Sequence, residues 1–359
     1  MDFEEEIKDI RDGFFSGNAI LRSRSARLAA NHGMLFVNQL RSTLDDEFYE
    51  ARGFSSLSLG MIGDKTSAVI IAKLLSDDEE EVRFQAAEAL GMLLDNQTIN
   101  SLVMALSDES RETRNQAILA LKKFDQEYLG EEILNWLKKL HVNTIKQETE
   151  EEIEIVNVIR GIVEAVGFFT ATWVDNVLEF GLQSGDLEMI RLSCLSIGNG
   201  LHDRFLEEVH LYTTHDDDDL RLSAIWSVVQ FDFPNKQEFL LLHVFDSYEF
   251  IRELIIIELS HFPIENMEEI YQKYSLDSEY SVRIAMANSL GLNTNKSKLN
   301  YLKILLNDEN SFVRQAVVKS LGNYDIIDTK SILEERKLVE LDDLVKINLT
   351  NILQQNGDD

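Results

Sequence analysis

Cysteine and proline are nearly absent from this 359-residue sequence. The one cysteine, Cys194, excludes an intramolecular disulfide framework and is typical of a reducing compartment. With two prolines and no extended glycine- or serine-rich tract, the sequence predicts no long linker. The N-terminus is acidic where a secretion signal would be basic, and no apolar run reaches the length of a membrane span. We therefore expect a cytoplasmic protein.

Basic residues are also scarce, because 34 lysines and arginines face 64 aspartates and glutamates, a formal net charge of −30 at pH 7. Nucleic-acid binding depends on lysine and arginine to neutralise phosphates, and an anionic membrane surface repels an acidic protein. We therefore expect neither nucleic acid nor membrane as a partner. The charge has two interpretations: it keeps the protein soluble, or it attracts a basic partner.

Motifs of catalysis are missing as well: the sequence contains no phosphate-binding loop, no nucleophile elbow and no H-E-x-x-H helix. Cys194 occupies a repeat position where other repeats have Ala, Val or Ile, which predicts a buried small residue rather than a nucleophile. The run His215–Asp219 lacks the ligand spacing and glycine of a calcium loop. We predict no catalytic residue, no metal and no cofactor.

What the sequence does contain is an arginine that recurs at a nearly constant interval. The positions are Arg52, Arg83, Arg114, Arg160, Arg191, Arg221, Arg252, Arg283 and Arg314, with spacings of 31, 31, 46, 31, 30, 31, 31 and 31. Such a period is the signature of stacked repeats. Each repeat predicts a first helix, an acidic turn and a second helix; in the clearest repeat these are Thr66–Leu75, Ser76–Glu79 and Glu80 to about Leu94.

The repeats predict a single array over residues 1–359, about eleven units in all. Residues 1–36 are predicted to form an N-terminal cap unit and residues 328–359 a C-terminal cap unit, since end repeats are usually atypical. Residues 124–150 form an insert that interrupts the period. Apolar residues predict an amphipathic helix in the insert, and a charged loop at 147–154 follows it. The helix residues are Leu129, Ile133, Trp136, Leu137 and Leu140. Two interpretations stay open, a binding feature and an irregularity in stacking.

Two further positions repeat with the arginine. An aspartate lies six residues before it, at Asp46, Asp77, Asp108, Asp246, Asp277 and Asp308. A glycine lies eight residues after it, at Gly60, Gly91, Gly291 and Gly322, which is typical of a helix end or of close packing.

The two-helix unit, with its aspartate in the turn and its arginine early in the second helix, resembles HEAT repeats. Val82–Leu90, VRFQAAEAL, is most similar to the subgroup named after phycobilisome lyases. The resemblance implies an all-α, right-handed solenoid with a ladder of hydrogen bonds between its aspartates and arginines. The ladder arginines are Arg52, Arg83, Arg114, Arg252, Arg283 and Arg314. Gly185 and His215 replace the aspartate in two repeats, so we expect a weaker ladder near Arg191 and Arg221.

A helical wheel of the second helices predicts where a partner would bind. Positions −1, +3, +4 and +7 from the arginine form a buried stripe, whereas +1 and +5 point away from it. Apolar residues cluster at +1 and +5, and exposed apolar surface with a tryptophan is typical of a binding site. The predicted groove residues are Leu192, Leu222, Trp226, Ile257, Ile284 and Phe84. A segment of the same chain could also cover this strip.

The turns predict an acidic edge beside the groove, formed by Asp77, Asp78, Glu79, Asp216, Asp217, Asp218 and Asp219. We therefore predict a non-catalytic protein-binding module or scaffold, of the adaptor, inhibitor or immunity type, which holds a basic protein or peptide. The alternative is a factor like the phycobilin lyases, or like a chaperone, that presents a small ligand.

Overall fold

The computed structural model describes residues 3–139, 149–262, 267–292 and 294–355. Throughout these residues the regular elements are α-helices and short 3₁₀ turns, and no β-strand is present among them. The chain forms two compact units, Met1–Val209 and His210–Asp359. The prediction of an all-α fold is confirmed; that of one array over 1–359 stays a prediction.

Within the described residues, twenty-two α-helices follow one another as eleven consecutive pairs. They are α1 (Phe3–Phe14), α2 (Ala19–Ala29), α3 (Val37–Thr43), α4 (Tyr49–Ile62), α5 (Ala68–Ala72), α6 (Glu80–Leu93), α7 (Ile99–Met104), α8 (Arg111–Leu121), α9 (Gln126–Lys139), α10 (Glu150–Ala165), α11 (Val174–Gln183), α12 (Leu187–Gly200), α13 (Leu206–His210), α14 (Asp218–Val229), α15 (Lys236–Leu242), α16 (Glu249–Leu259), α17 (Glu268–Ser275), α18 (Tyr280–Leu292), α19 (Leu299–Leu305), α20 (Ser311–Leu321), α21 (Ile326–Val339) and α22 (Asp343–Gln355). The odd-numbered helix of most pairs is short, and 3₁₀ turns such as Lys73–Ser76 extend several of them.

Small residues allow the even-numbered helices of neighbouring pairs to pack closely. A Cβ atom on Gly60 of α4 would lie 2.7 Å from the Cα atom of Ala89 on α6, and Gly91 stands in the same relation to Ala120 at 3.0 Å. Both distances are shorter than side chains normally tolerate, so only glycine fits. The repeated glycine is therefore a packing residue, the second of its two predicted roles.

The break in the period has a local cause in the first unit. Helix α9 is a lengthened first helix that buries Leu129, Ile133, Trp136 and Leu137, as the sequence predicted, while Leu140 lies outside the described residues. The predicted charged loop at 147–154 is wrong where the structure describes it. Thr149 and Glu152 form a capping box that starts α10, so the acids that follow are its first turn.

The repeated arginine joins neighbouring pairs through both of its ends. Arg83 donates from Nη1 to the carbonyl oxygen of Asp77 in its own turn, at 2.9 Å. It also donates from Nε and Nη2 to the two carboxylate oxygens of Asp108 in the next turn, at 2.8 and 3.1 Å. The same bidentate contact joins Arg22 to Asp46, Arg52 to Asp77, Arg221 to Asp246, Arg252 to Asp277 and Arg283 to Asp308. Each aspartate thus serves the arginine of the preceding pair.

This direction of pairing corrects the expectation of a weak contact at Arg221. The arginine reaches forward to Asp246, so the histidine in its own turn does not matter, and Nη1 of Arg221 still finds the carbonyl oxygen of His215 at 2.7 Å. Gly185 stands where the carboxylate partner of Arg160 would be, so the missing aspartate affects Arg160 instead. Arg160 donates to Asp186 through Nη2 alone at 2.8 Å. Arg191 pairs with Glu188 of its own helix at 2.6 Å.

Arg114 and Arg314 differ from the other arginines of the ladder. Arg114 keeps the contacts to its own turn, donating to the carbonyl oxygens of Asp108 and Glu109 at 2.8 and 3.1 Å, and no carboxylate pairs with it among the described residues. In the last pair, a glutamate replaces the aspartate, and Arg314 donates to both carboxylate oxygens of Glu340 at 2.9 and 2.8 Å. Burial alone would raise the pKa of Glu340, yet hydrogen bonds from Arg314, the Asp342 amide and Arg336 lower it to about 2.

Candidate functional site

The predicted groove residues of the second unit occupy equivalent positions on α14, α16 and α18. Arg221 and Arg252 both bind Asp246, one through its carboxylate and the other through its carbonyl, which fixes the starts of α14 and α16 side by side. Residues that directly follow these arginines are therefore neighbours along the stack. Leu222, Trp226 and Ile284 are half-buried, and the Ile257 side chain is 42% exposed. We call these four residues the apolar strip.

A carboxylate that the sequence did not single out lies within the apolar strip. Glu253 follows Arg252 directly, in the position that Leu222 has on α14 and Ile284 on α18. Its Oε1 atom is buried and has no hydrogen-bond partner in the described part of the chain. Burying a carboxylate oxygen without a partner costs free energy, so a cation that pairs with this carboxylate would be favoured. The signal for it was the single acid among the residues that directly follow the nine repeated arginines.

Two predicted groove residues belong to the first unit. Phe84 is half-buried at its +1 position on α6, whereas the Leu192 side chain is only 6% exposed. The prediction of an exposed Leu192 is wrong, because α12 turns this face towards α10. Ser196, one turn after Leu192, donates a hydrogen bond to the carbonyl oxygen of Val163 on α10 at 2.6 Å.

The residues of the predicted acidic edge divide between ladder and solvent. Asp77 accepts two hydrogen bonds from Arg52, and its side chain is 8% exposed, so it belongs to the ladder. Asp78 and Glu79 of the first unit are exposed. All four aspartates of the run Asp216–Asp219 in the second unit are exposed too. The edge itself stays a prediction, because the two stretches belong to different units.

Two of these exposed aspartates also stabilise their own helix. Asp217 is the N-cap of α14 and accepts from the Leu220 amide at 2.8 Å, and Asp218 pairs with Arg221 at 2.6 Å. Both roles are typical of acids in the first turn of a helix. Asp216 and Asp219 are exposed to solvent, although the Tyr248 hydroxyl donates a hydrogen bond to Asp219 at 3.1 Å.

Two observations concern metal binding and the single cysteine. They contain no group of three or more histidine, cysteine, aspartate or glutamate side chains arranged to hold a metal ion. Cys194 is fully buried, and burial raises the pKa of its thiol to about 12, so it stays protonated at neutral pH. The predicted small buried residue is therefore what the structure has at this position.

The chain resembles known proteins in its sequence pattern and in its fold. Residues 37–124 and 267–353 match the family model of HEAT repeats. Both stretches therefore contain HEAT repeats. The prediction of an all-α, HEAT-like solenoid is confirmed. The similarity to the phycobilisome-lyase subgroup and the right-handed twist stay predictions.

Solved structures share the HEAT-repeat fold at low sequence identity. The karyopherin Kap121p bound to the SUMO protease Ulp1p has a TM-score of 0.63 and 12% identity, over 99% of this chain and 45% of that chain. Kap121p bound to Nup53p has a TM-score of 0.61, with the same sequence identity and the same coverage of both chains. Kap121p bound to Pho4p gives 0.58 and 12%, over 100% of this chain and 44% of that chain.

This chain therefore spans less than half the length of Kap121p, and the likeness shows the fold alone. No curated protein sequence matches the chain significantly. None of the helices in the described residues is long and apolar enough to cross a membrane.

Proposed function

We propose that this HEAT-repeat protein is a non-catalytic binding module or scaffold, of the adaptor, inhibitor or immunity type. In the proposal, the apolar strip of the second unit holds a basic segment of a partner protein. The structures of similar fold support the class of function, since Kap121p is bound to Nup53p in one of them and to Ulp1p in another.

The observation that carries the proposal is the unpartnered Oε1 atom of Glu253. A lysine or arginine side chain from a partner would give this half-buried carboxylate a charge-assisted hydrogen bond. The stem of that side chain is apolar, and it would lie along Leu222 and Trp226, where a tryptophan ring also attracts a cation. Apolar residues that flank one buried acid match the chemistry of a basic side chain better than that of an apolar or acidic one.

The exposed run Asp216–Asp219 supports a basic partner in a second way. These charges lie at the start of α14, the helix that carries Leu222 and Trp226. Acids beside a binding surface raise the rate at which a cationic partner arrives, an effect that salt screens. The net charge of −30 acts in the same direction.

Substitutions in the strip test the proposal. The probe is a fluorescein-labelled, lysine- and arginine-rich nonapeptide, and binding to the full chain is followed by fluorescence anisotropy. Trp226→Ala should weaken binding by about 30-fold, the effect of losing about 2 kcal/mol at a hot spot, and leave the urea midpoint nearly unchanged. Glu253→Gln should weaken binding of the same peptide and reduce its dependence on salt.

A matched control separates this effect from overall charge. Glu238→Gln removes the same charge from an exposed position on α15, a helix that carries no residue of the strip, so it should leave affinity within about twofold. Equal losses for Glu238→Gln and Glu253→Gln would reduce the effect to net charge. If Trp226→Ala unfolds the protein, Trp226 is a core residue and the strip is not a binding surface. A coloured small ligand that co-purifies with the chain would favour the lyase-like alternative.

A further inference from the structure

The second unit contains a pocket of about 550 Å³ on α18, α20 and α22. Arg283 and Arg314 fix these helices together through Asp308 and Glu340. The pocket volume is typical of a ligand site. Its lining residues are Ile284, Asn288, Phe312, Gln315, Ala316, Lys319, Asn348, Asn351 and Ile352.

Four carboxamides converge on this pocket, from Asn288, Gln315, Asn348 and Asn351. None of them forms a hydrogen bond with another described residue, so each offers two N–H donors and one oxygen acceptor to a ligand. They come from three different helices of the second unit. Single surface amides are common, but four that line one pocket form an array of donors and acceptors at fixed positions.

The charge of the lining is the second unusual feature. Among the described residues no carboxylate lines this pocket, although the chain has a net charge of −30, and Lys319 is the one charged residue of the described lining. A cationic ligand would therefore lack a counter-charge and would meet Lys319. A polyanion would need several cations, and the pocket has one. A purely apolar ligand would leave the carboxamides unpaired and without water, at a cost in free energy.

An extended peptide matches all of these features. Its main chain presents N–H donors and C=O acceptors in alternation, the complement of the carboxamide groups. A helical segment cannot use them, because its main-chain groups are bonded within the helix. Ile284 and the Phe312 ring, which is 61% exposed, provide apolar contacts for alternate side chains of such a segment.

We infer that this pocket binds an extended, uncharged peptide segment through its main chain. The inference rests on the proposed function, because Ile284 belongs both to the apolar strip and to the pocket. It adds a division of tasks to that function: Glu253 and Trp226 recognise a basic side chain, and the carboxamides hold neighbouring main chain regardless of its sequence.

The test uses the full chain and a fluorescein-labelled octapeptide of threonine, valine and serine, acetylated and amidated so that it carries no terminal charge. A second peptide of the same sequence has alternate main-chain nitrogens methylated, which removes their N–H donors. We expect anisotropy titration to show binding of the first peptide and at least tenfold weaker binding of the methylated one. The double substitution Asn288→Ala and Asn351→Ala should weaken binding of the first peptide by at least tenfold.

Two further variants make the outcome specific. Gln272→Ala removes an exposed carboxamide of the same unit outside the pocket and should leave affinity within about twofold, whereas Lys319→Met removes the charge of the lining and tests whether that charge carries the binding. Undetectable binding up to about 1 mM peptide, or equal affinity for the methylated peptide, overturns the inference. A loss confined to Lys319→Met also overturns it and makes the pocket an anion site. If the basic nonapeptide still binds in any of these cases, the proposed function stands and only the pocket is reassigned.

Discussion

The ladder makes unequal predictions for three arginines that occupy the same position in their repeats. Arg83, Arg114 and Arg191 all lie in the first unit, so their substitutions by alanine can be compared in one structural context. Arg83 binds both a carboxylate of the next turn and a carbonyl of its own turn, Arg114 binds carbonyls, and Arg191 pairs within its helix.

The structure sets the size of each effect. The Arg83 and Asp108 side chains are each 8% exposed, so Arg83→Ala leaves a nearly buried carboxylate without its partner and should cost about 3–5 kcal/mol. Arg114→Ala loses charge-assisted bonds to carbonyl oxygens, a loss of about 1.5–3 kcal/mol. The Arg191 side chain is 30% exposed, and ion pairs at such partly exposed positions, its pair with Glu188 among them, contribute at most about 1 kcal/mol each.

Urea denaturation followed by circular dichroism measures these differences. The expected order of destabilisation is Arg83→Ala, then Arg114→Ala, then Arg191→Ala, with slopes that stay constant so that the free energies are comparable. Asp108→Ala should repeat the large effect of Arg83→Ala, since it breaks the same pair. Equal losses for the three arginine variants would refute the forward pairing, because their shared carbonyl contacts or their helix positions would then explain the whole effect.

Four further outcomes are expected. The pKa of Glu340 lies below its ordinary value of 4.5, at about 2. The ionised side chain therefore contributes about 3 kcal/mol to the free energy of unfolding above pH 4.5, and this contribution is lost as pH falls towards 2. In urea titrations, Glu340→Gln should be less stable than the wild type at pH 7 and close to it at pH 2. Gly60→Ala places a Cβ 2.7 Å from the Cα of Ala89 and should cost about 1–3 kcal/mol in the same assay. Iodoacetamide should label Cys194 at pH 8 only after urea is added, because the thiol is buried. Replacement of Asp216–Asp219 by asparagine should slow association of the basic nonapeptide and flatten its salt dependence in stopped-flow experiments, with dissociation little changed.

The fold was readable from the sequence because each pair of helices repeats the same physical requirements. An arginine every 31 residues, an aspartate before it and a glycine after it placed the second helix of the clearest repeat to within one residue. The first helix is placed equally well once the 3₁₀ turns on both sides of α5 are counted with it. The start of α10 was readable too, since Thr149 and Glu152 have the spacing of a capping box. It was missed because the acids that follow look like a solvated loop.

Which aspartate an arginine binds was not readable from spacing. Asp77 lies six residues before Arg83, and Asp108 lies 25 residues after it, so a linear pattern allows either partner. Only the stacking of the pairs brings the later carboxylate to the guanidinium. The prediction of an exposed Leu192 was wrong for a related reason. A helical wheel describes one helix by itself, whereas the hydrogen bond from Ser196 to Val163 of the neighbouring helix α10 shows which face of α12 is covered.

The ladder also bears on how a partner would be recognised. Each bidentate pair neutralises one aspartate and holds it in place, so the charge that remains for a partner belongs to other acids. In the second unit these acids include the exposed run Asp216–Asp219 and the half-buried Glu253. The exposed charges act at a distance and are screened by salt, whereas Glu253 acts only on contact. In the proposed function the two should therefore separate experimentally, with Asp216–Asp219 controlling the association rate and Glu253 with Trp226 controlling dissociation.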